Sequence, residues 1–280
     1  MRIGSGTLRF RLTMSILVMI SLSVLPTLGS STMASAQVLV ENPFAGFDMC
    51  SAPSVAQMNA WAGTSPYNWI GIYIGGADRS CPQANLNSSW VTTVSNYGWG
   101  LVPIWAGSQD PCYTHGGTLF SSNTSTAYLQ GGDEARSAVI QLNALGMSPS
   151  IAGNDEIAYD MEAFSGTPTC SLATGEAAAE AFIKGWDNYL EASPNVVAGV
   201  YGSCSGSNLS TFTGSPPPNF IWGACTAGGS NTAVMTNVPA GDWVNNQRLK
   251  QYVLNTSGNF GGVALSPIDI DNADGPIYYQ

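Results

Sequence analysis

Short apolar segments recur along the chain from residue 44 onward, and helical patterns separate the first five of them. The apolar segments lie at 44–50, 68–76, 100–107, 156–164, 195–203, 219–227, 248–254 and 260–271. The helical patterns occupy 54–63, 88–98, 132–146 and 175–192, and in the last of these the apolar residues recur at three and four positions. Near-continuous apolar strands with helical crossovers are typical of a parallel sheet that helices cover on its outer face.

The number and spacing of these segments predict an α/β fold built around a closed barrel. Eight strands in about 240 residues fit a TIM-type (β/α) barrel, and the loops between the last strands indicate that its later helices are reduced. An open doubly wound sheet is the alternative, but no glycine-rich phosphate-binding fingerprint follows the first strand. In the barrel, the last strand is expected to close beside the first.

The first 36 residues are typical of a secretory signal peptide rather than of the fold. Three arginines precede an apolar stretch that is too short for a comfortable membrane span, and "MASAQ" predicts cleavage between Ala36 and Gln37. An uncleaved membrane anchor is the alternative. Removing 36 of the 280 residues leaves one predicted domain at 37–280, with 244 residues. We expect a protein secreted to the extracellular space or the cell envelope, without membrane attachment after cleavage.

The predicted mature chain is acidic and has few charges. It keeps all 18 acidic residues but only five of the eight bases, because three arginines lie in the leader. Nucleic acids and anionic membrane surfaces require a basic patch, so neither is an expected partner. Only 9% of the residues are charged, whereas small polar and aromatic residues are plentiful. This composition suits an exported protein that contacts sugars, and a monomer is the expected assembly.

Six cysteines follow the leader, and an even number in an exported chain predicts three disulfides. They are Cys50, Cys81, Cys112, Cys170, Cys204 and Cys225. Sequence alone allows fifteen pairings. In a barrel these cysteines lie at or near the carboxyl ends of six consecutive strands, and neighbouring strands have neighbouring ends. Our hypothesis is therefore that the pairs are Cys50–Cys81, Cys112–Cys170 and Cys204–Cys225.

The segment "IAYDMEAF" places Asp160 and Glu162 two residues apart in an otherwise apolar strand. Residues i and i+2 of a strand point to the same face, with Cα atoms about 7 Å apart. Both carboxylates should therefore face the interior near the carboxyl end of the fourth strand, where barrel enzymes keep their active sites. Asp48 occupies the matching position on the first strand, and Asp269 and Asp271 occupy it on the last. The sequence predicts that three acidic strand ends converge on one mouth.

Clustered carboxylates raise one another's pKa, so at least one of these acids is expected to hold a proton near neutral pH. Glycosidic cleavage requires an acid that protonates the leaving oxygen and a carboxylate that stabilises the developing oxocarbenium ion or assists an attack. We assign the proton-donor role to Glu162 and charge stabilisation to the deeper Asp160. Their spacing does not distinguish a direct nucleophile from assistance by the substrate. The alternative is a structural role, in which backbone amides and the few bases, such as Arg79, satisfy the acids.

Other kinds of site have less support. The chain has one histidine, His115 in the loop "DPCYTHGGT", so a Ser-His-Asp triad or a multi-histidine metal site is not indicated. His115 is expected to be a surface residue of that loop. The segment "DIDNADG" nearly imitates a calcium loop, but Ala273 stands where the third ligand is needed. We therefore expect neither a metal nor a cofactor.

Aromatic residues near the strand ends offer a platform on which a sugar ring can stack. Burial in the barrel core is the alternative for each of them. The candidate substrate-binding residues are Trp105, Tyr201, Trp222, Arg79, Asp269 and Asp271.

A set of segments, taken in order, resembles a known family. The segments are "GFDMCSAPSVAQMNAW", "GIYIGG", "LVPIW", "IAYDMEAF", "GVYGS" and "LKQY…GGV…IDID". They resemble a bacterial domain of unknown function described as glycoside-hydrolase-like, which is similar in turn to the lysozymes of glycoside hydrolase family 25. The resemblance covers about residues 44–272 and implies a barrel of five βα units followed by three strands.

The resemblance also implies roles for the acids. In the lysozymes the Glu of a D-x-E pair on the fourth strand is the catalytic acid, and the Asp assists through the N-acetyl group of the substrate. These roles carry over to Glu162 and Asp160, with Asp48 and either Asp269 or Asp271 as further pocket acids. The implied substrate is peptidoglycan or another cell-envelope glycan.

Two hypotheses about function follow. The first is a secreted glycoside hydrolase that acts on an envelope glycan through Glu162 and Asp160. The second is a non-catalytic glycan-binding or envelope-associated module that keeps the barrel and its acidic mouth. Because one fold hosts many functions, the choice depends on the chemistry of the site.

Overall fold

The computed structural model describes residues 44–147, 156–192, 196–206, 208–214 and 216–279. The predicted signal peptide and its cleavage site lie outside these residues, so the predicted boundary between residues 36 and 37 remains a prediction. No helix among the described residues is both long enough and apolar enough to cross a membrane.

The described residues form eight β-strands, four α-helices and one short 3-10 helix. The strands are β1 (Phe44–Asp48), β2 (Trp69–Gly75), β3 (Gly100–Trp105), β4 (Glu156–Asp160), β5 (Val197–Ser203), β6 (Phe220–Ala224), β7 (Arg248–Phe260) and β8 (Val263–Asp274). The helices are α1 (Val55–Trp61), α2 (Ser88–Asn96), α3 (Thr124–Ala144), α4 (Leu172–Ala192) and the 3-10 helix η1 (Leu209–Thr213). Polar side chains begin the first three helices, because Ser54, Asn87 and Asn123 each accept a hydrogen bond from a backbone amide of the first turn.

The eight strands close into a barrel in chain order, which confirms the predicted α/β barrel and excludes the open sheet. Strands β1 to β7 run parallel, and β8 closes the barrel against β1, as predicted. The expectation of a wholly parallel sheet is wrong for β8, which is antiparallel to both of its neighbours. The connection between β7 and β8 explains the reversal, because only residues 261 and 262 separate these strands and so short a turn joins antiparallel neighbours.

Two apolar layers fill the fold, one inside the barrel and one between the strands and the helices. Trp69 and Trp222 are fully buried inside the barrel, with ring centroids 5.5 Å apart. Glycines make room for them, because a Cβ at Gly71 would lie 2.5 Å from the Trp222 ring and a Cβ at Gly46 would overlap the Trp69 ring. The interior of the barrel is therefore a packed core below its mouth.

The structure contains the three disulfides Cys50–Cys81, Cys112–Cys170 and Cys204–Cys225, which are the pairs of our hypothesis. Their Cα atoms are 5.6, 5.3 and 5.2 Å apart, within the usual range for disulfides. Each disulfide joins the segments that follow two consecutive strands. The mouth of the barrel is thus cross-linked in pairs of neighbouring loops.

Residues 225–247 replace a helix after β6 with a series of turns, and two buried cations hold these turns against β7. The Lys250 ammonium is fully buried and donates to the carbonyl oxygens of Ala227, Asn231 and Val234 at 2.6, 3.1 and 2.6 Å. The Arg248 guanidinium, which is also buried, donates to four other carbonyl oxygens of the same segment. Backbone carbonyls replace the water that these cations lose, which explains how they can be buried without a carboxylate partner.

We expect Lys250→Met to lower the free energy of unfolding by about 3 kcal/mol, because the substitution keeps the apolar stem but leaves three buried carbonyl oxygens without their donor. Urea unfolding of the mature protein measures this change. Lys184→Met on the exposed face of α4 is the matched control and should change the value by less than about 0.5 kcal/mol. Equal stabilities of the two variants would contradict the assigned role of Lys250.

Candidate active site

A cavity of about 360 Å³ opens beyond the carboxyl ends of β2, β3 and β4. Asp160 and Glu162 form one side of it, the loops that follow β2 and β3 form most of the rest, and Cys50 and Tyr73 complete the wall. The side chains of the wall that bear functional groups are Tyr73, Asp78, Arg79, Ser80, Gln109, Tyr113, His115, Asp160 and Glu162. The mouth of the barrel therefore presents acidic, basic, amide and phenol groups to one open cavity.

The D-x-E pair lies in this cavity wall, as the sequence predicts. Asp160 is the last residue of β4 and is only 6% exposed, whereas Glu162 lies two residues beyond the strand and is exposed. The strand is shorter than the apolar segment 156–164, because the chain leaves the barrel after Asp160. The two acids are therefore neighbours at different depths, one inside the barrel mouth and one at its rim.

The side chain of Gln109 fixes the backbone of this pair. Its Nε2 donates to the carbonyl oxygen of Asp160 at 2.8 Å and to that of Gly107 at 3.0 Å, and its Oε1 accepts from the amide of Glu162 at 2.8 Å. Gln109 is 3% exposed, so these bonds are shielded from water. One buried amide thus holds both acids of the pair through their main chains.

Burial separates the proton affinities of the two acids. Burial raises the pKa of Asp160 well above its ordinary value, and the nearby carboxylates of Glu162 and Asp48 raise it further. Partial desolvation at the rim also raises the pKa of Glu162, although its side chain is exposed, and the nearby His115 opposes that shift. The resting proton of the pair therefore belongs on Asp160. The charged role that the sequence predicts for Asp160 is therefore not its resting state, because burial disfavours its charge.

The other three predicted acids form a second cluster inside the barrel, outside the cavity wall. Asp48 on β1 lies opposite Asp269 on β8, and Gly46 lies opposite Asp271. The Gln251 Nε2 donates to Asp48 Oδ2 at 2.6 Å and to Asp269 Oδ2 at 3.3 Å. Asp48 is the last residue of β1, so Asp269 lies beside the carboxyl end of that strand, as expected, whereas Asp271 lies beside its middle.

The second cluster also retains protons near neutral pH. Burial, followed by the charge of Asp269, raises the pKa of Asp48 from 3.8 to about 7. Burial raises the pKa of Asp271 well above its ordinary value, and the adjacent Asp48 adds to that shift. The Asp271 carboxyl can donate its proton to Asp48, and its Oδ1 accepts a hydrogen bond from Trp222 Nε1 at 2.9 Å. Asp48 also affects the cavity, because its charge raises the pKa of Asp160.

The predicted aromatic platform is wrong for Trp105 and Trp222, whereas the role of Tyr201, which is partly buried near Asp160 and Glu162, stays a prediction. Trp105 faces outward from β3 against α3, where its Nε1 donates to Glu134 Oε2 at 2.6 Å. Trp222 faces inward but is fully buried one layer below the mouth. The Tyr201 hydroxyl donates to Gln251 Oε1 at 2.9 Å inside the barrel. None of the three lies in the cavity wall.

Sequence reasoning missed the loop of residues 109–120, which supplies Tyr113 and His115 to the wall. Its neck closes where the Gln109 amide donates to Thr118 O at 2.7 Å and the Phe120 amide donates to Gln109 O at 2.9 Å. Asp78 in the preceding loop accepts the Thr118 amide at 2.9 Å. His115 is exposed on this loop, as expected, but it faces the candidate site. The sequence does contain one indication of this role, because "GSQDPCYTHGGT" directly follows the third predicted strand and so lies at the carboxyl end of the barrel.

One group of potential metal ligands occurs among the described residues, namely Asp110, Cys112 and Cys170. The two sulfur atoms belong to a single disulfide, so neither is a thiolate that could bind a metal. The acids of the cavity and of the barrel interior do not form such a group within the described part of the chain. The expected lack of a metal or cofactor stays a prediction.

Comparison with known proteins agrees with this architecture. The profile of a family described as "Rv2525c-like, glycoside hydrolase-like domain" matches residues 59–273. No curated protein sequence matches the chain.

Two solved structures share the fold. The Tat-secreted protein Rv2525c of Mycobacterium tuberculosis, crystallised with HEPES, is 14% identical, with a TM-score of 0.50 over 85% of this chain and 98% of that one. A family 25 glycosyl hydrolase from Bacillus anthracis is 11% identical, with a TM-score of 0.50 over 83% of this chain and 89% of that one. At these identities the likeness concerns the fold alone.

The raised pKa of Asp48 predicts that the protein loses stability as the pH rises from about 4 to about 7, because the folded state keeps a proton that the unfolded chain releases. Asp48→Asn should reduce the loss of unfolding free energy between pH 4 and pH 8 by about 2 to 4 kcal/mol. The variant should also be more stable than the wild type at pH 8. Urea unfolding at several pH values between 4 and 8 measures the effect. Asp133→Asn on the surface of α3 should keep the wild-type slope, and equal slopes for all three proteins would refute the prediction.

Proposed function

We propose, from the premise that the chain belongs to the Rv2525c-like, glycoside hydrolase-like domain family, that it is an exported glycoside hydrolase acting on peptidoglycan or another cell-envelope glycan. The observation that carries the proposal is the acid pair in the cavity wall. Asp160 is buried and Glu162 is exposed, the charge of Glu162 raises the pKa of Asp160, and Gln109 holds both acids. A barrel enzyme that cleaves glycosidic bonds needs such a pair at the carboxyl ends of its strands.

In the proposed reaction Glu162 protonates the leaving oxygen of the glycosidic bond. In the resting state the proton is on Asp160, whose pKa is raised more strongly by burial. A bound sugar would exclude water from Glu162 and raise its pKa in turn, so that the proton favours Glu162 when the substrate is in place. Asp160 would then be ionised and would stabilise the positive charge that develops on the sugar ring. Water completes the hydrolysis.

A non-catalytic glycan-binding module is the second candidate, and one observation favours it. The acid with the higher proton affinity in the resting state is Asp160, which is buried, whereas the exposed Glu162 lies near His115, which lowers its pKa. If no bound substrate excludes water from Glu162, the proton stays on Asp160. From that buried position it cannot reach a glycosidic oxygen. Such a barrel would bind a glycan without cleaving it.

Export to the extracellular space or the cell envelope is part of the proposal. The three disulfides support it, because disulfides persist in oxidising compartments. The predicted signal peptide gives the route, and the structurally similar Rv2525c is described as Tat-secreted. We propose that the mature domain acts as a monomer, with one cavity for each chain.

We expect Glu162→Gln to lower hydrolysis by about 10² to 10⁴-fold, since general acid catalysis contributes that much. Asp160→Asn should lower it to a similar extent, because it removes both the stored proton and the stabilising charge. The assay is the release of reducing ends from purified peptidoglycan and from chitin-type oligomers by the mature protein. Asp133→Asn, which removes an exposed carboxylate on α3, is the matched control and should retain wild-type activity.

Two results would contradict the catalytic proposal. Unchanged release of reducing ends by folded Glu162→Gln would show that the pair is not catalytic. A wild-type protein that folds and binds glycan strands but releases no reducing ends from either substrate would establish the binding module instead.

A further inference from the structure

The five bases among the described residues occupy four different environments, and only one of them lies at the cavity. Arg248 and Lys250 are buried among backbone carbonyls, Arg136 pairs with Asp133 on the surface of α3 at 2.8 Å, and Lys184 is exposed on α4. The fifth base is Arg79, which lies in the cavity wall. In a chain with 18 acidic residues, the presence of an arginine in the cavity wall therefore requires an explanation.

Arg79 is held by the backbone and not by a carboxylate. It follows β2, and its Nη1 donates to the carbonyl oxygen of Ile74 at 3.2 Å. Within the described part of the chain no carboxylate oxygen lies within 4.0 Å of its guanidinium, although Asp78, Asp160 and Glu162 line the same cavity. A guanidinium has five N–H donors in a fixed planar fork, so the bond to Ile74 leaves most of them available to a ligand.

The nearest acid along the chain, Asp78, is engaged elsewhere. Both of its carboxylate oxygens accept the amide of Thr118, at 2.9 and 3.0 Å, and so hold the loop that carries His115. Asp160 holds a proton in the resting state and is therefore neutral. The side of the cavity formed by Asp160 and Glu162 thus carries less negative charge than two ionised carboxylates would give it. A ligand with one negative charge can therefore approach Arg79 without meeting a fully ionised wall.

We propose that Arg79 forms an anion subsite of this cavity and that the sugar bound there carries a carboxylate. The inference rests on the proposed glycan function and narrows its substrate class to acidic sugars. A planar guanidinium fork matches a carboxylate in a bidentate geometry. Arg79 is the one Arg or Lys side chain of the described wall, and its single charge balances that of one carboxylate. In this arrangement the carboxylate of the sugar contacts Arg79 while the scissile bond lies at the acid pair.

The test uses one glycan in two forms. The first consists of peptide-free wall glycan strands with their sugar carboxylates intact, and the second consists of the same strands after chemical reduction of the carboxylates to alcohols. For the mature wild type we expect kcat/KM to be about 10- to 100-fold higher on the carboxylate form, the range for a hydrogen bond to a charged group. In Arg79→Gln the ratio between the two forms should fall close to one, and Arg79→Lys should give an intermediate ratio. Arg136→Gln removes the same charge from the surface and should keep the wild-type ratio.

The outcomes separate this inference from the proposed hydrolysis. If the wild type hydrolyses both forms with nearly equal kcat/KM, the inference is overturned but the hydrolase proposal is not. The same holds if Arg79→Gln keeps the wild-type preference for the carboxylate form. If the wild type cleaves neither form, titration calorimetry on the same strands gives the ratio of dissociation constants. A carboxylate preference in that ratio that disappears in Arg79→Gln would support the subsite although the hydrolase proposal fails. Equal binding of the two forms, or no binding of either, would overturn it.

Discussion

The structure depends on one constraint, which is the closure of the barrel by a strand that is antiparallel to both of its neighbours. Strand β8 pairs with β1 over five residues and with β7 over the length of the hairpin. Closure removes the free edges of the sheet, so the inward-facing side chains must fill the enclosed interior. Tryptophans fill the lower part of that space, and carboxyl groups occupy the upper part, which opens into the cavity. The acids lie there because of the register between β1 and β8, which sets Asp269 opposite Asp48.

These interior carboxyl groups are stabilised by protons and amides rather than by cations. Among the described residues, the two buried bases, Arg248 and Lys250, point outward from β7 to the turns of residues 225–247. Gln251, between Lys250 and the rest of β7, points inward and donates to Asp48 and Asp269. The acids thus keep their protons to unusually high pH, and Asp48 extends this effect to Asp160 in the cavity wall. A proton-rich cluster behind the D-x-E pair is an arrangement that would suit the proposed general acid chemistry.

The sequence predicted the number and order of the strands, the closed barrel and the position of the D-x-E pair, because each depends on hydrophobic periodicity or on residues within one strand. The neighbouring cysteine pairs followed from the order of the strands. What the sequence did not predict depends on which way a side chain points. Trp105 is one residue away from the inward-facing Ile104, and a strand turns such neighbours to opposite faces. The role of Gln109 depends on a loop that crosses to β4, and no local pattern encodes that contact.

The chain enters and leaves the barrel at the same face. Phe44, at the start of β1, pairs with Ala273 near the end of β8, and Tyr278 pairs with Leu101 near the start of β3. The cavity lies at the opposite face, beyond the carboxyl ends of the parallel strands. An attachment made through either end of this domain, to a bead or to a fused partner, would therefore hold the barrel by its base. The cavity would face outward and remain open to a polymer too large to diffuse around the protein.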